Sequence, residues 1–274
     1  MTGIQLIINL LFKQNHNTMK NHLKLAVALL YILVSTGASS QSITVYQYRH
    51  VPPEQMSEFI ERETKYWSVV AQKAIDNGKL EFWALLVKQG VYDAPNTSNV
   101  LFINTFKDIN DTEGIWDISA VFPDTPVEKM STYDIGYVTH LFYLKDEAWE
   151  QASHADPQKD FNYVVMTYHN SSNPTQFIAL EKEHWAPFIK KAMDSKKTTQ
   201  VGWGNARVLS PSGENIKANT VSFDLYPNLK EVLMPTWDED VVFPEEGLNK
   251  LGEITLNRRG RQVYRIVKAV EGSN

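Results

Sequence analysis

Five histidines lie beyond residue 40: His50, His140, His154, His169 and His184. An imidazole can take up or release a proton near neutral pH, so each is a candidate proton carrier. "SITVYQYRH" ends in His50 and "FNYVVMTYH" ends in His169. Both runs have the alternation of strands, which puts Tyr46 and Tyr48 on the side of His50, and Val165 and Thr167 on the side of His169. In "GYVTHLFYL", His140 shares its side with Val138 and Phe142. In "VGWGNARVL", Trp203, Asn205 and Arg207 fall on one side, and Gly202 and Gly204 leave the other side open to close approach. Arginine and asparagine are suited to holding a carboxylate, and a tryptophan offers a flat surface to a ring. The set expected to act is therefore His50, His140 or His169 as proton carrier, with Tyr48 as acid or donor. Tyr46, Trp203, Asn205 and Arg207 are the expected binding groups. Such a set can abstract a proton next to a carboxylate and stabilise the anion that forms. His184, beside Trp185, and His154, in "ASHADPQKD", are expected at the surface.

Other chemistries are poorly represented. The chain has no cysteine, which excludes disulfides and thiolate metal sites. It has no HExxH, GxSxG, phosphate-binding or dinucleotide-binding pattern. No metal site and no cofactor are called for; a haem would require an axial ligand such as His169 or His140. Glu63 and Glu181 interrupt two helical stripes at the same point. Repeated positions usually serve a shared scaffold, so each is expected to meet an arginine or a tryptophan N–H.

Charge narrows the partners. Residues 19–40 begin with Lys20 and Lys24, continue through an apolar run from Leu25 to Val34, and end in small residues before Gln41. This is the layout of a secretory signal peptide, with Met19 as a start and residues 1–18 as an extension outside the fold. Lys13, Lys20 and Lys24 are the basic residues before Gln41; without those three, 24 of the 27 basic residues remain against 32 acidic ones, a net charge of −8. That disfavours nucleic acid as a partner, while a locally basic pocket for a small anion remains compatible. The expected product is secreted or periplasmic and has no membrane attachment after cleavage.

The elements that must position these residues occur twice. "FIERETKYWSVVAQKAIDNGK" from Phe59 and "FIALEKEHWAPFIKKAMDSKK" from Phe177 align without gaps, matching Glu63 with Glu181 and Trp67 with Trp185. Both have helical spacing and are preceded by prolines, Pro52–Pro53 and Pro174. Each is flanked by the histidine-ending strand and followed by two strands joined by a polar loop, a second helical stretch and a last strand. The order strand–helix–strand–strand–helix–strand is the ferredoxin-like unit. It predicts a first unit over 41–151, a linker over 152–160 and a second unit over 161–274, with Trp67 and Trp185 in equivalent core positions.

Two such units on one chain resemble the dimeric α+β barrel superfamily, with both protomers fused. The resemblance implies an α+β fold in which two tandem ferredoxin-like βαββαβ units form a pseudo-dimeric barrel; the site is expected inside it, nearer one half than the other, because the halves differ in polarity on matched strands. The superfamily includes monooxygenases, isomerases, haem enzymes and binding proteins, so fold alone assigns no chemistry. The chain also looks like secreted bacterial proteins of polysaccharide-degrading systems. That likeness implies a lyase or dehydratase acting by elimination on an acidic oligosaccharide. The alternatives are a haem-dependent or monooxygenase-type enzyme of the same fold, or a non-catalytic protein binding a small anionic ligand. The N-terminal reading has its own test. Sequencing of exported protein should start at Gln41, and a product retaining Leu25–Val34 would refute the signal peptide.

Overall fold

The alternation of the β-rich segments sorts their side chains into two sets, and the fold separates those sets. In β1 (Ile43–His50), Tyr46 and Tyr48 join one apolar cluster, whereas Val45 joins another. The computed structural model describes residues 42–90, 97–213, 218–258 and 261–272; the signal-peptide segment lies outside the described residues. After β1 come α1 (Met56–Arg62), a π-helical turn (Glu63–Trp67) and α2 (Ser68–Asp76). Strands β2 (Leu80–Lys88) and β3 (Val100–Phe106), the short helix α3 (Ile118–Val121) and the long strand β4 (Tyr137–Gln151) complete the first half. A short helix α4 (Pro157–Asp160) leads into β5 (Tyr163–Ser171). Then follow α5 (Pro174–Leu180), a second π-helical turn (Glu181–Trp185) and α6 (Ala186–Asp194). Pro174 occupies the first turn of α5, and Asn173 caps it by accepting from the Gln176 amide. The chain continues with β6 (Gly202–Ser210), β7 (Thr220–Tyr226), α7 (Leu229–Leu233), α8 (Glu245–Ile254), β8 (Thr255–Arg258) and β9 (Gln262–Glu271).

The strands are antiparallel and run β7-β6-β4-β1-β3-β2-β9-β5, and a β5–β7 pairing closes the ring; β8 extends the β9 edge of β5. The protein is thus a mixed α+β fold around a closed antiparallel barrel. Each half has the strand order last–first–third–second: β4-β1-β3-β2 and β9-β5-β7-β6. The halves are joined by their long last strands. β4 pairs with β1 through Tyr137–Leu144 and with β6 through Tyr143–Gln151. β9 likewise pairs with both β5 and β2.

The barrel interior is packed. Tyr46, Tyr48, Tyr168 and Tyr264 are 1–3 % exposed and meet Leu101, Leu144, Met166 and Val221 there. A barrel of eight strands is just wide enough for its own side chains. The Tyr48 and Tyr168 hydroxyls, 120 positions apart in sequence, contact each other across it. Gly202 and Gly204 permit this packing: a Cβ on Gly204 would lie 2.5 Å from the Phe223 ring and 2.9 Å from the Ala148 carbonyl oxygen. The helices cover the outer face through separate apolar clusters, Phe59, Trp83 and Phe102 in the first half and Ile189, Met193 and Trp203 in the second. Trp67 is buried and donates its indole N–H to the Met130 carbonyl at 3.0 Å. Trp185, expected in an equivalent place, is only half-buried, against Phe188.

The glycine contact gives a stability test. Gly204→Ala should destabilise the fold by about 1–3 kcal/mol, the usual cost of overpacking. Gly252→Ala, in α8 with nothing within 4 Å of the added atom, should be neutral or stabilise by up to about 1 kcal/mol. Urea unfolding of both variants checks the pair.

Candidate functional site

The structure divides the expected site between two faces of the barrel wall. Tyr46 and Tyr48 point inward, and His140 stacks on Tyr48 at 4.1 Å with an interplanar angle of 10°. His140 is exposed and its Nδ1 lies 2.9 Å from the Thr139 hydroxyl. His50 is half-buried at the end of β1, and its Nδ1 is 2.7 Å from the Thr97 carbonyl oxygen. Trp203, Asn205, Arg207 and His169 do not face the interior. They lie on the outer face, under α5, the second π-helical turn and α6. The physical reason is register. Ala206 and Val208 fill the barrel, so the residues alternating with them must point to the helices. Trp203 is 1 % exposed and packs with Ile189 and Met193, so no ring can stack on it from solvent. His154 is exposed. His184 is partly buried against Gly247 of α8, where a Cβ would approach it within 2.4 Å.

Register also corrects the pairing of the two halves. Asn99 accepts from the Val51 amide and donates to the Val51 carbonyl oxygen; Asn219 does the same to Ser171. Tyr48 therefore matches Tyr168, and His169 matches Arg49 rather than His50. Arg49 lies over the Phe59 ring at 5.5 Å, and the His169 ring contacts Phe177 at 4.9 Å.

With this register, three rows of outward residues can be compared. The row Val45–Asn104–Trp83 corresponds to Val165–Asp224–Trp203 and is similar in both halves. The next, Gln47–Phe102–Leu85, corresponds to Thr167–Ser222–Asn205. The last, Arg49–Val100–Val87, corresponds to His169–Thr220–Arg207. Four apolar side chains of the first half are thus replaced by Ser222, Asn205, Thr220 and Arg207. Between these polar rows and the helices lies the candidate site.

Its centre is Glu181, on the second π-helical turn. It accepts hydrogen bonds from Asn205 Nδ2 and Ser222 Oγ, both at 2.8 Å. Glu181 is 6 % exposed, Asn205 and Thr220 0 %, and His169 6 %. Asn205 Oδ1, Thr220 Oγ1 and Arg207 Nε are buried and have no hydrogen-bond partner. Each such atom costs about 1–3 kcal/mol unless something else satisfies it. Arg207 reaches the edge of the site, where its Nη1 donates to Thr175 Oγ1 at 3.1 Å and its Nε lies 3.6 Å from Glu147 Oε1. Glu147 also lies 3.5 Å from Lys145 Nζ. The arrangement combines a base, a cation and unpaired polar groups out of solvent, where electrostatic interactions are strong.

The equivalent place in the first half is a latch. Glu63 accepts from Thr132 Oγ1 at 2.6 Å, and Arg49 Nη2 donates to the Thr132 carbonyl oxygen at 3.2 Å. Burial pushes the Glu63 carboxyl up to about 7; the Thr132 hydrogen bond and the Arg49 charge oppose that push.

The two histidines expected as axial ligands of a haem have different settings. The His169 ring is packed on Phe177 and out of solvent. His140 opens onto solvent and has one ring face covered by Tyr48. Among the described residues no group of three histidine or acidic side chains is placed to hold a metal ion. No helix among them is long and apolar enough to cross a membrane.

No protein-family model matches the chain, and no curated protein does. Solved structures do. The chain is similar to a putative monooxygenase from Lactobacillus acidophilus NCFM, with a TM-score of 0.53 and 10 % identity over 84 % of this chain and 96 % of that one. It is similar to a putative monooxygenase from Fusobacterium nucleatum, with a TM-score of 0.51 and 8 % identity over 84 % and 94 %. A chlorite dismutase variant from Candidatus Nitrospira defluvii aligns with a TM-score of 0.45 and 9 % identity over 84 % and 92 %. At these identities the first two likenesses establish the barrel fold and nothing further.

The Glu63 environment gives a pH test. In the folded state this carboxyl binds its proton more tightly than the ordinary value of 4.5. Its contribution to stability is therefore complete below about pH 4.5 and is lost as pH rises to about 7. The loss is at most about 3 kcal/mol. Glu63→Gln should flatten the stability profile between pH 5 and 7, as measured by denaturant unfolding. An unchanged slope would remove Glu63 as its source.

Proposed function

We propose that the chain is an enzyme of the monooxygenase type that acts on a small organic molecule at the polar rows of its second half. The observation that carries this is the replacement of Val87, Val100, Leu85 and Phe102 by Arg207, Thr220, Asn205 and Ser222 on an otherwise matching scaffold. A scaffold role alone does not require it, because the first half is packed without these groups. The fold shared with two putative monooxygenases supports the reaction class. We read the two halves as tandem ferredoxin-like units. The product is read as exported, with residues 19–40 as its signal. Elimination on an acidic oligosaccharide has weaker support, since Trp203 is covered by α6 and buried rows do not suit a polymer.

In this reading His169 takes a proton from a methylene beside a substrate carbonyl, and Arg207 and Thr220 stabilise the enolate oxygen. Molecular oxygen is the oxidant. One oxygen atom ends as the new carbonyl of the product, and the other leaves as water with the two methylene hydrogens. The substrate carbon gives up four electrons and the oxygen molecule accepts four, so no further reductant is required. No cofactor is called for.

Oxygen uptake with a panel of ketones carrying such a methylene tests the assignment. His169→Ala should lower turnover by about 10²–10⁴, the usual cost of a lost general base. Tyr48→Phe, inside the barrel, should leave turnover within a few-fold. Loss of activity in Tyr48→Phe but not in folded His169→Ala would move the site into the barrel. A Soret band in the purified protein would replace this reading with a haem-dependent one.

A further inference from the structure

We infer that the chain forms a twofold dimer through α6, in which the acidic turn 238–240 of each copy enters a lysine-lined groove of the other. The inference concerns the outer surface of the second half and does not depend on the reaction assigned above.

The two flanks of α6 carry different chemistry. At about 100° per residue, Lys190 and Asp194 fall on one side of the buried stripe Ala186, Ile189 and Met193, and Phe188 falls on the other. Along the first flank runs a groove of about 780 Å³ lined by Lys182, Ala186, Pro187, Lys190 and Lys191. Glu150 and Asp194 also border it. Asp194 is already engaged, by Lys190 at 2.6 Å and by the Ser153 amide and hydroxyl at 2.7 Å. Lys182 and Lys191 are exposed and have no ion-pair partner among the described residues. The groove thus keeps cations in reserve on a chain that is acidic beyond residue 40. In the first copy of this helix, neutral Thr64 and Gln72 take the places of Lys182 and Lys190.

Along the second flank, the rings of Trp185, Phe188, Trp237 and Phe243 form a run with centroids 5.0–5.8 Å apart. The run is not covered: Phe243 is 38 % exposed and its neighbour Val242 is 85 % exposed. Apolar groups left open together mark an interaction surface. Between Trp237 and Val242 lies the exposed turn of Asp238, Glu239 and Asp240. Lys197 holds Asp240, whereas Asp238 and Glu239 have no ion-pair partner among the described residues. An acidic turn with an apolar border therefore lies on one flank, and a cationic groove with an apolar floor on the other. Within one chain α6 separates them. A twofold axis along α6 exchanges its flanks, so both turns meet both grooves at once. A second copy supplies the complement of each charge and covers the apolar residues beside the turn.

Sedimentation equilibrium of the full chain tests this. A dimer is expected, weakened when salt is raised from about 0.1 M to about 1 M. Lys182→Glu with Lys191→Glu reverses the groove, and Asp238→Lys with Glu239→Lys reverses the turn. None of these four side chains has an ion-pair partner within the described chain, so folding should be kept, and thermal melting checks it. Each pair should raise the dimer dissociation constant by at least about tenfold, because like charges then meet. Mixed in equal amounts, the two double variants should associate again, since turn and groove are then complementary at both contacts. Val242→Asp, at a side chain with little cover to lose, should weaken the dimer to a similar degree and gives an independent check. A wild-type chain that stays monomeric would overturn the inference. So would a dimer that all of these variants leave unchanged, or double variants that remain apart when mixed.

Discussion

Closure of the barrel is the constraint from which the rest follows. Eight strands close only because β4 and β9 are long enough to pair within their own half and then with the other. An eight-stranded ring encloses little more than its own side chains. Here four tyrosines, phenylalanines and aliphatic residues fill it, and the Tyr48 and Tyr168 hydroxyls meet within it. Polar chemistry is displaced to the layer between strands and helices. In that layer side chains of two elements can face one another without breaking the ring.

The duplication provides an internal control for that layer. The scaffold contacts are kept in both halves: the Asn99 and Asn219 clamps, the Phe59 and Phe177 ring contacts, and a glutamate on a π-helical turn. Burial of Leu85, Val87, Val100 and Phe102 stabilises the first half by roughly 1.5–3 kcal/mol per side chain. The second half forgoes that and carries Asn205 Oδ1, Thr220 Oγ1 and Arg207 Nε without partners. Arg49 Nε is such an atom in the matching rows of the first half; the greater departure of the second copy, at adjacent rows, marks it as the one under a functional demand.

Much of this was legible in the sequence, and the errors have specific causes. The repeated helices followed from periodicity and from the match of Phe59 with Phe177, and the barrel from the resemblance that the repeat carries. Alternation correctly grouped Trp203, Asn205 and Arg207 on one side of β6. It cannot say which side faces the barrel, because both faces of a covered strand are apolar in part. The interior was assigned to the wrong set for that reason. The pairing of His50 with His169 rested on both strand runs ending in histidine, 119 positions apart, whereas the strands repeat at 120. At the strand spacing His169 falls opposite Arg49. A comparison of "VLFINTF" with "TVSFDLY" at the strand spacing would have exposed Val100 against Thr220 and Phe102 against Ser222. Those two residues were missed for lack of it. Thr175 carries no such signal, since its role depends on where Arg207 ends.

Glu63 and Glu181 show how one position can serve two ends. Each lies one turn after a phenylalanine that packs against the basic residue of the first strand, so both carboxyls are driven under the sheet. In the first half, apolar rows leave the carboxyl no partner on β2 or β3. It turns instead to Thr132, and through Arg49 it secures the segment that leads into β4. Its proton affinity rises because the surroundings are dry. In the second half, Asn205 and Ser222 take up both carboxylate oxygens from the strands. That fixes the Asn205 amide and leaves its oxygen as an acceptor. The same buried acid is a fastener where its neighbours are apolar and orients a polar site where they are not. Polarity of the facing strand residues, rather than the acid itself, decides between the two.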